Sequence, residues 1–345
     1  MTNKPIANLA VIGLGMATKP HLDALAELRG KVNVSGVFNR TRAKADAISE
    51  TFGFPVFDSI DAIAADPHTD GVLIATPPNQ RAQIVTKMAT AGKHILMEKP
   101  IERSLQAAKD IVTECEAQDI ALGIVFQHRL RKASLRLREL MAQGALGDLA
   151  LVRAEIPWWR DQSYYDIAGR GTYARDGGGV LISQAIHVMD LMLSLTGPAT
   201  SVQALTATTR MHEMESEDFA TAGVRFANGA VGSIVATTAT YPGEQERLVL
   251  DGTKATAVLN GGQLTVTWHD GRTETAGDIS GTGGGADPMA FPCDWHRDVI
   301  EDFARAIHGK HQPSITGREA LRVHALIEAI TRSSATHTTV EVENV

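Results

Sequence analysis

Up to about residue 125, continuous apolar runs alternate with stretches whose apolar positions recur every three or four residues. "ANLAVIGLG" reads as a strand, followed by a helix from about Lys19 to Arg29. "KVNVSGVFN" is a second strand, and "RAKADAISETFG" a helix stopped at Gly53. A short helix "IDAIAA", a strand "TDGVLIATPP" and a helix from about Gln80 to Ala91 come next. "KHILMEKP", a helix from about Leu105 to Gln118, and "IALGIVFQ" complete the series. β-branched runs separated by helices predict a parallel sheet covered on both faces, a doubly wound α/β domain over residues 1–125.

The pattern then changes. A basic helix, "KASLRLRELMAQGALG", precedes the strand "LALVRAEI". "GGGVLISQAIHVMD" opens a helix from about Val180 to Leu195, apolar nearly all round and therefore buried, and ended by Gly197-Pro198. Alternating runs follow, with Asn228-Gly229, Asp251-Gly252 and Asp270-Gly271 placed as hairpin turns. Residues 126–345 are thus expected to form an α+β domain with a large, open, mainly antiparallel sheet. "GTGGG" at 281–285 reads as a linker or a mobile lid, and "HEMESED" (His212 to Asp218) as the solvated start of a strand.

Composition narrows the function. The 345 residues are 43% hydrophobic and 21% charged, ordinary for a two-domain globular chain. A net charge of -7 argues against nucleic-acid binding. Cys115 and Cys293 have no metal-ligand spacing and suit a reducing cytoplasm. No segment offers about 18 consecutive apolar residues, so no membrane span is expected.

"GLGMAT" starts at Gly13, directly after the first strand and before a helix. Gly13 and Gly15, followed by Met16 and Ala17, allow a tight turn and a close backbone approach to a pyrophosphate at a helix N-terminus. The third glycine of the usual fingerprint is replaced by Thr18. In this strand–turn–helix setting the motif predicts dinucleotide binding by a Rossmann domain, the other reading being a tight turn without ligand. NAD sites place a carboxylate after the second strand; here stand Asn39, Arg40, Thr41 and Arg42. Arg40 can pair with a 2′-phosphate, so NADP(H) is favoured and NAD(H) remains open.

"GLGMA" and "MEKP", with "ATPPNQR" (Thr76, Pro77, Pro78 and Asn79), "GGGVLISQAIHVMDL" and "DFARAI…GREALRVHALIEAI", resemble the Gfo/Idh/MocA family over nearly the whole chain. The resemblance implies a Rossmann domain followed by an α/β domain whose open sheet makes subunit contacts, in a homodimer or homotetramer. It implies hydride transfer between a nicotinamide and a hydroxyl or carbonyl carbon, usually of a sugar or cyclitol, without a metal. It also places a catalytic lysine at Lys99, usually before a cis-proline, here Pro100, and an active-site histidine at His187.

Lys99 sits after a buried strand at the carboxyl edge of the sheet, where open α/β sheets bind ligands. An oxidised nicotinamide ring beside it would lower its pKa and suit proton exchange. Glu98 is expected to orient or pair with its neighbours. Ser183, His187 and Asp190 share one helix face at spacings of four and three. Many family members carry an aspartate where Ser183 stands, so either Lys99 carries more of the proton transfer, or Ser183 or Asp190 assists His187, or this chain takes a different substrate. Gln184 lies beside this stripe as a substrate contact.

"PWWRDQSYYDIAGRGTY" packs aromatics with arginines. Trp159 and Tyr165 suit sugar faces and Arg160 and Arg170 a carboxylate or hydroxyls, or the segment simply closes the domain core. His128 and Arg129 either touch substrate or open a basic helix, and Trp295 and His296 wall the site or pack the core. The leading function is an NADP(H)- or NAD(H)-dependent oxidoreductase of a sugar, cyclitol or polyol. Two others stand beside it: a lyase or glycosidase that oxidises transiently with a tightly held cofactor, and a non-catalytic nucleotide sensor.

Overall fold

The computed structural model describes residues 6–278 and 292–345, which form two compact units. The expected linker at 281–285 lies outside the described residues.

Unit 1 carries a parallel sheet of β1 (Ala7–Ile12), β2 (Val32–Phe38), β3 (Gly71–Ile74), β4 (His94–Glu98) and β5 (Leu122–Val125), in the order β2-β1-β3-β4-β5. The crossovers are α1 (Lys19–Glu27), α2 (Arg42–Phe52), α3 (Ile60–Ala65), α4 (Arg81–Thr90) and α5 (Leu105–Ala117). Every residue of β3 and β5 is buried, because helices cover both faces and no strand position faces water. The strand order reverses between β1 and β3. Their following loops therefore diverge and leave a crevice at the carboxyl edge, where ligands of open α/β sheets bind.

Unit 2 begins with α6 (Lys132–Ala142), β6 (Leu149–Pro157) and the short α7 (Gln162–Tyr165). A π-turn, Leu181–Ala185, then runs into α8 (Ile186–Thr196). The strands β7 (Ala199–Ala207), β8 (Phe219–Phe226), β9 (Val231–Thr237), β10 (Arg247–Gly252), β11 (Ala255–Asn260), β12 (Gln263–Trp268) and β13 (Thr273–Gly277) follow. With β14 (Val340–Glu341) they build a sheet in the order β13-β12-β11-β10-β6-β9-β8-β7-β14, antiparallel except for β6 beside β9. Period-two alternation splits its faces. Val152, Ala154, Ile156, Ile234, Ala236, Leu248 and Leu250 point inward and are buried, whereas Leu151, Val231, Val235 and Leu205 stand exposed on the other face.

Two expectations need correction. Asp251-Gly252 is the end of β10 and not the turn, which falls on Thr253 and Lys254. Glycine is required there because a Cβ would lie 2.2 Å from the Leu146 carbonyl oxygen. The second domain is also not one continuous stretch after residue 126. The chain crosses at 127/128, but residues 292–320 belong to unit 1. There α9 (Asp294–Gly309) packs on α1 and against β1, β4 and β5, burying Val299, Ile300, Phe303, Ala304 and Ala306. The last helix is α10 (Gly317–Thr336), and hydroxyls of Ser333 and Ser334 accept amides of Ala204 and Thr206 at 3.0 and 2.8 Å. Among the described residues, no helix is long and apolar enough to cross a membrane.

Candidate functional site

In unit 1 the β1–α1 turn is set by two glycines with different jobs. Gly13 has φ +95°, and a Cβ there would stand 2.9 Å from Thr76 Cγ2 and 3.0 Å from the Ala75 carbonyl carbon. At Gly15 a Cβ would meet nothing within 4 Å. Its backbone borders a cleft of about 630 Å³. Thr18 occupies the third fingerprint position, is buried, and donates its hydroxyl to the Gly13 carbonyl at 3.0 Å, closing the turn from within. The Leu14 amide donates to Asn39 Oδ1 at 3.2 Å, which ties the ends of β1 and β2 together.

Gly13, Gly15, Asn39, Arg40, Thr76, Pro77 and Asn79 line this cleft. Met16, Ala17, Pro78, Glu98 and Lys99 are not among its lining residues. Of the two arginines after β2, Arg42 is engaged by Asp46 at 2.8 Å and by Asp58, while Arg40 lines the cleft. Lys44 joins it there. Sequence reasoning missed Lys44, although its place in the first turn of α2, directly after the strand end that carries Arg40, is the signal that finds it.

At the end of β4 the Lys99–Pro100 peptide is cis, as the resemblance implies. Glu98 is buried, its Oε1 paired with His21 Nε2 at 2.7 Å and its Oε2 accepting the Lys99 amide at 3.1 Å. Burial alone would raise the Glu98 carboxyl. The hydrogen bond and charge of His21, with the charges of Lys99 and His296, outweigh that and hold it at about 2. His296 packs edge-on against His21 with ring centroids 4.6 Å apart, so it belongs to the buried interior of unit 1. These residues are 77 and more positions apart in sequence, and no local spacing announces them.

In unit 2, three glycines precede the helix of His187, and two of them, Gly177 and Gly179, are required by packing. A Cβ on Gly177 would lie 2.6 Å from Arg103 Cα, and one on Gly179 only 1.8 Å from the Glu217 carbonyl oxygen. The Glu217 carboxylate accepts the amides of Gly179 and Leu181, each at 3.1 Å, and its carbonyl accepts Val180 at 2.8 Å. A half-buried carboxylate thus satisfies the amides at the start of this helix. Burial pushes the Glu217 carboxyl above the usual range, against the amide hydrogen bonds. The reading of residues 212–218 as a solvated strand start holds only in part: the segment leads into β8 and Glu213 and Glu215 are exposed, but His212, Ser216 and Asp218 are buried. His212 Nδ1 meets Asp218 Oδ2 at 2.8 Å and its Nε2 donates to the Arg160 carbonyl at 2.7 Å.

The helix begins as a π-turn, a feature frequent at functional sites. His187 is buried, and its ring stacks on His128 with centroids 4.9 Å apart and planes 23° from parallel. Arg131 Nη2 donates to His128 Nε2, which places the His128 ring proton on Nδ1. Arg131 in turn pairs with Glu246 at 2.8 Å. Both oxygens of Asp190 accept from Arg129, at 2.7 and 2.6 Å, in a buried bidentate pair. The aromatic ring beside His187 is therefore that of His128, and Asp190 serves to anchor Arg129.

The aromatic segment divides. Tyr165 is buried and shares a hydrogen bond of 2.7 Å with Thr238, and Trp158 continues the β6 edge through bonds to Thr237 and Thr240. Trp159 rests on Tyr241 and His212. Arg160 is buried, donates to the Trp159 carbonyl at 2.6 Å and lies over Trp158. Tyr164, which sequence reasoning passed over, accepts from Gln184 Nε2 at 3.3 Å and carries the Arg170 guanidinium 4.0 Å above its ring. Both thiols are poor nucleophiles at neutral pH: burial pushes Cys115 up to about 12, and burial with Glu27 pushes Cys293 up to about 11.

Comparison with known proteins places this geometry. A family model described as "Oxidoreductase family, NAD-binding Rossmann fold" matches residues 7–126, and one described as "GFO/IDH/MocA C-terminal domain" matches residues 134–258. The WlbA dehydrogenase of Bordetella pertussis, solved in complex with NADH and UDP-GlcNAcA, is 27% identical with a TM-score of 0.83, covering 99% of this chain and 100% of that one. An uncharacterized oxidoreductase of Synechocystis sp. is 26% identical over 76% of this chain and 74% of its own. D-apiose dehydrogenase of Rhizobium rhizogenes is 25% identical over 96% of each chain.

The packing role of the glycines makes a direct prediction. Gly179→Ala forces backbone away from Glu217 and should lower the melting temperature by several degrees, as overpacking costs about 1–3 kcal/mol. A thermal melt matching wild type would contradict it.

Proposed function

We propose, from the premise that this chain belongs to the GFO/IDH/MocA oxidoreductase family, that it transfers hydride between NADP(H) and a hydroxyl or carbonyl carbon of a sugar, cyclitol or related polyol. The observation that carries the reading is the crevice at the strand-order reversal, bordered by the open face of Gly15 and by two cations, Arg40 and Lys44. A glycine that leaves room for a pyrophosphate, and cations where an NAD site would hold a carboxylate, fit NADP(H) better than NAD(H). The WlbA relative was solved with NADH, and the NADP(H) preference proposed for this chain rests on Arg40 and Lys44.

When bound, the nicotinamide supplies or accepts the hydride. The chain's part is proton handling and orientation. Lys99, on the loop after β4, gives a proton to the carbonyl oxygen in reduction and takes it from the hydroxyl in oxidation. His187 is the second acid/base group, with His128 stacked on it as a ring whose Nε2 is held by Arg131. Gln184 offers its Oε1, buried without a hydrogen-bond partner, to a substrate hydroxyl, and Tyr164 and Arg170 extend the polar surface beside it. The exposed apolar face formed by Leu151, Val231, Val235 and Leu205 is the surface assigned to a homodimer or homotetramer.

Fluorescence titration should give NADPH at least about tenfold tighter than NADH, and Arg40→Asp should abolish that preference. Equal or reversed affinities in wild type would overturn the assignment. Lys99→Met and His187→Ala should each lower kcat by about 100-fold or more while the cofactor Kd stays put; unchanged turnover removes the residue from the mechanism. Sedimentation of Val231→Glu should show a smaller species than wild type, and an unchanged profile would place the subunit contact elsewhere.

A further inference from the structure

Arg81 opens α4 and is buried, yet it does not line the nucleotide cleft. Its Nε and Nη2 donate to the Thr76 carbonyl at 2.9 and 2.8 Å, and its Nη1 donates to the carbonyls of Glu98 and Pro100. Those last two carbonyls bracket Lys99. From the other side the Glu98 carboxylate takes the Lys99 amide, and His21 holds that carboxylate. The peptide that leads into Lys99 is therefore gripped at both ends, its carbonyl by a buried cation and its amide by a buried anion. Burial lowers the Arg81 guanidinium to about 10, with Glu98 and Glu102 opposing, so it is cationic at neutral pH. Only a planar fork with several donors reaches three carbonyls at once; lysine has the charge without the span.

Thr76 and Pro77 belong to the cleft wall, and the neighbouring Ala75 amide bonds to the Ile12 carbonyl at 2.9 Å. Arg81 thus ties the loop of Lys99 to the wall that borders the nucleotide. We propose that Arg81 is a positioning residue for proton transfer by Lys99: it holds the Lys99 backbone in fixed register with the Thr76 turn. The proposal rests on Lys99 being the acid/base group. A proton donor must lie within hydrogen-bond reach of the reacting oxygen, and a misplacement of about 1 Å costs on the order of 100-fold in rate. A cation that only stabilised the fold would not act selectively on that step.

The test compares wild type with Arg81→Gln and Arg81→Lys in the full chain, well below their melting temperatures. Three quantities are read: cofactor Kd by fluorescence, kcat and KM with a turned-over sugar, and the rate of Lys99 acetylation by acetic anhydride at fixed pH. Peptide mass spectrometry gives the last one relative to the other lysines, with no substrate needed. Arg81→Gln should lower kcat by about 100-fold, leave KM and cofactor Kd within about threefold, and change Lys99 labelling; Arg81→Lys should fall between. If Arg81→Gln does not fold, Arg81→Lys is still expected to lose kcat at unchanged Kd. Wild-type kcat and labelling in either folded variant would overturn the proposal, as would parallel losses in kcat and cofactor Kd. If wild type turns over nothing, a labelling change in the variants upholds the positioning and the failure belongs to the functional reading. Unchanged labelling overturns the positioning whatever the activity.

Discussion

A backbone group buried at the end of a strand or the start of a helix has lost its regular partner, and leaving it unsatisfied costs about 1–3 kcal/mol. Both units meet this demand, one beside Lys99 and the other beside the helix of His187, with opposite charges. In unit 1 the cation of Arg81 takes carbonyls at the carboxyl edge of the sheet, around Lys99. In unit 2 the anion of Glu217 takes amides at the start of the helix that carries His187. Charge-assisted bonds are the strong kind, so the backbone around Lys99 and at the start of the His187 helix has little freedom to move. The glycines follow from the same arrangement: Gly179 is small because Glu217 lies against it.

The charges come in balanced sets. Glu98 remains an anion in a buried setting because His21 bonds to it and other positive groups stand near. Arg131 is paired with Glu246, and Arg129 with Asp190. Removing one partner of such a pair leaves an uncompensated charge and costs about 3–5 kcal/mol. The stack of His128 on His187 sits among these pairs, so Arg131 fixes which nitrogen of the neighbouring ring carries its proton. Arg131, three residues after His128, thereby sets the tautomer of that imidazole.

Local pattern made much of the fold legible. The apolar runs of β1, β3, β4 and β5 were readable because a parallel sheet buries both faces, and the hairpins at Asn228-Gly229 and Asp270-Gly271 because their turns demand those residues. The return of α9 to unit 1 was not readable, since its apolar stripe would suit any sheet. Among site residues, Gly13, Gly15 and Arg40 stood in motifs with a fixed chain order. Arg81, Glu217 and His21 did not: apart from Thr76, five residues before Arg81, the partners named for them lie 17 to 77 positions away, and only the fold brings them near. "HEMESED" misled for the same reason: a run of acidic residues looks solvated until the amides it serves are seen.

Hydride transfer to the carbonyl carbon of a polyhydroxylated substrate is the step on which the proposed function stands. The most direct measurement is to incubate the enzyme with NADPH deuterated at C4 on both faces and a panel of keto-sugars and keto-cyclitols, and to follow deuterium by mass spectrometry. Deuterium is expected on the newly formed carbinol carbon, stable to exchange with water, with incorporation by Lys99→Met lower by about 100-fold or more at matched times. Product carrying solvent hydrogen at that carbon, or cofactor that keeps its label throughout the panel, would contradict it.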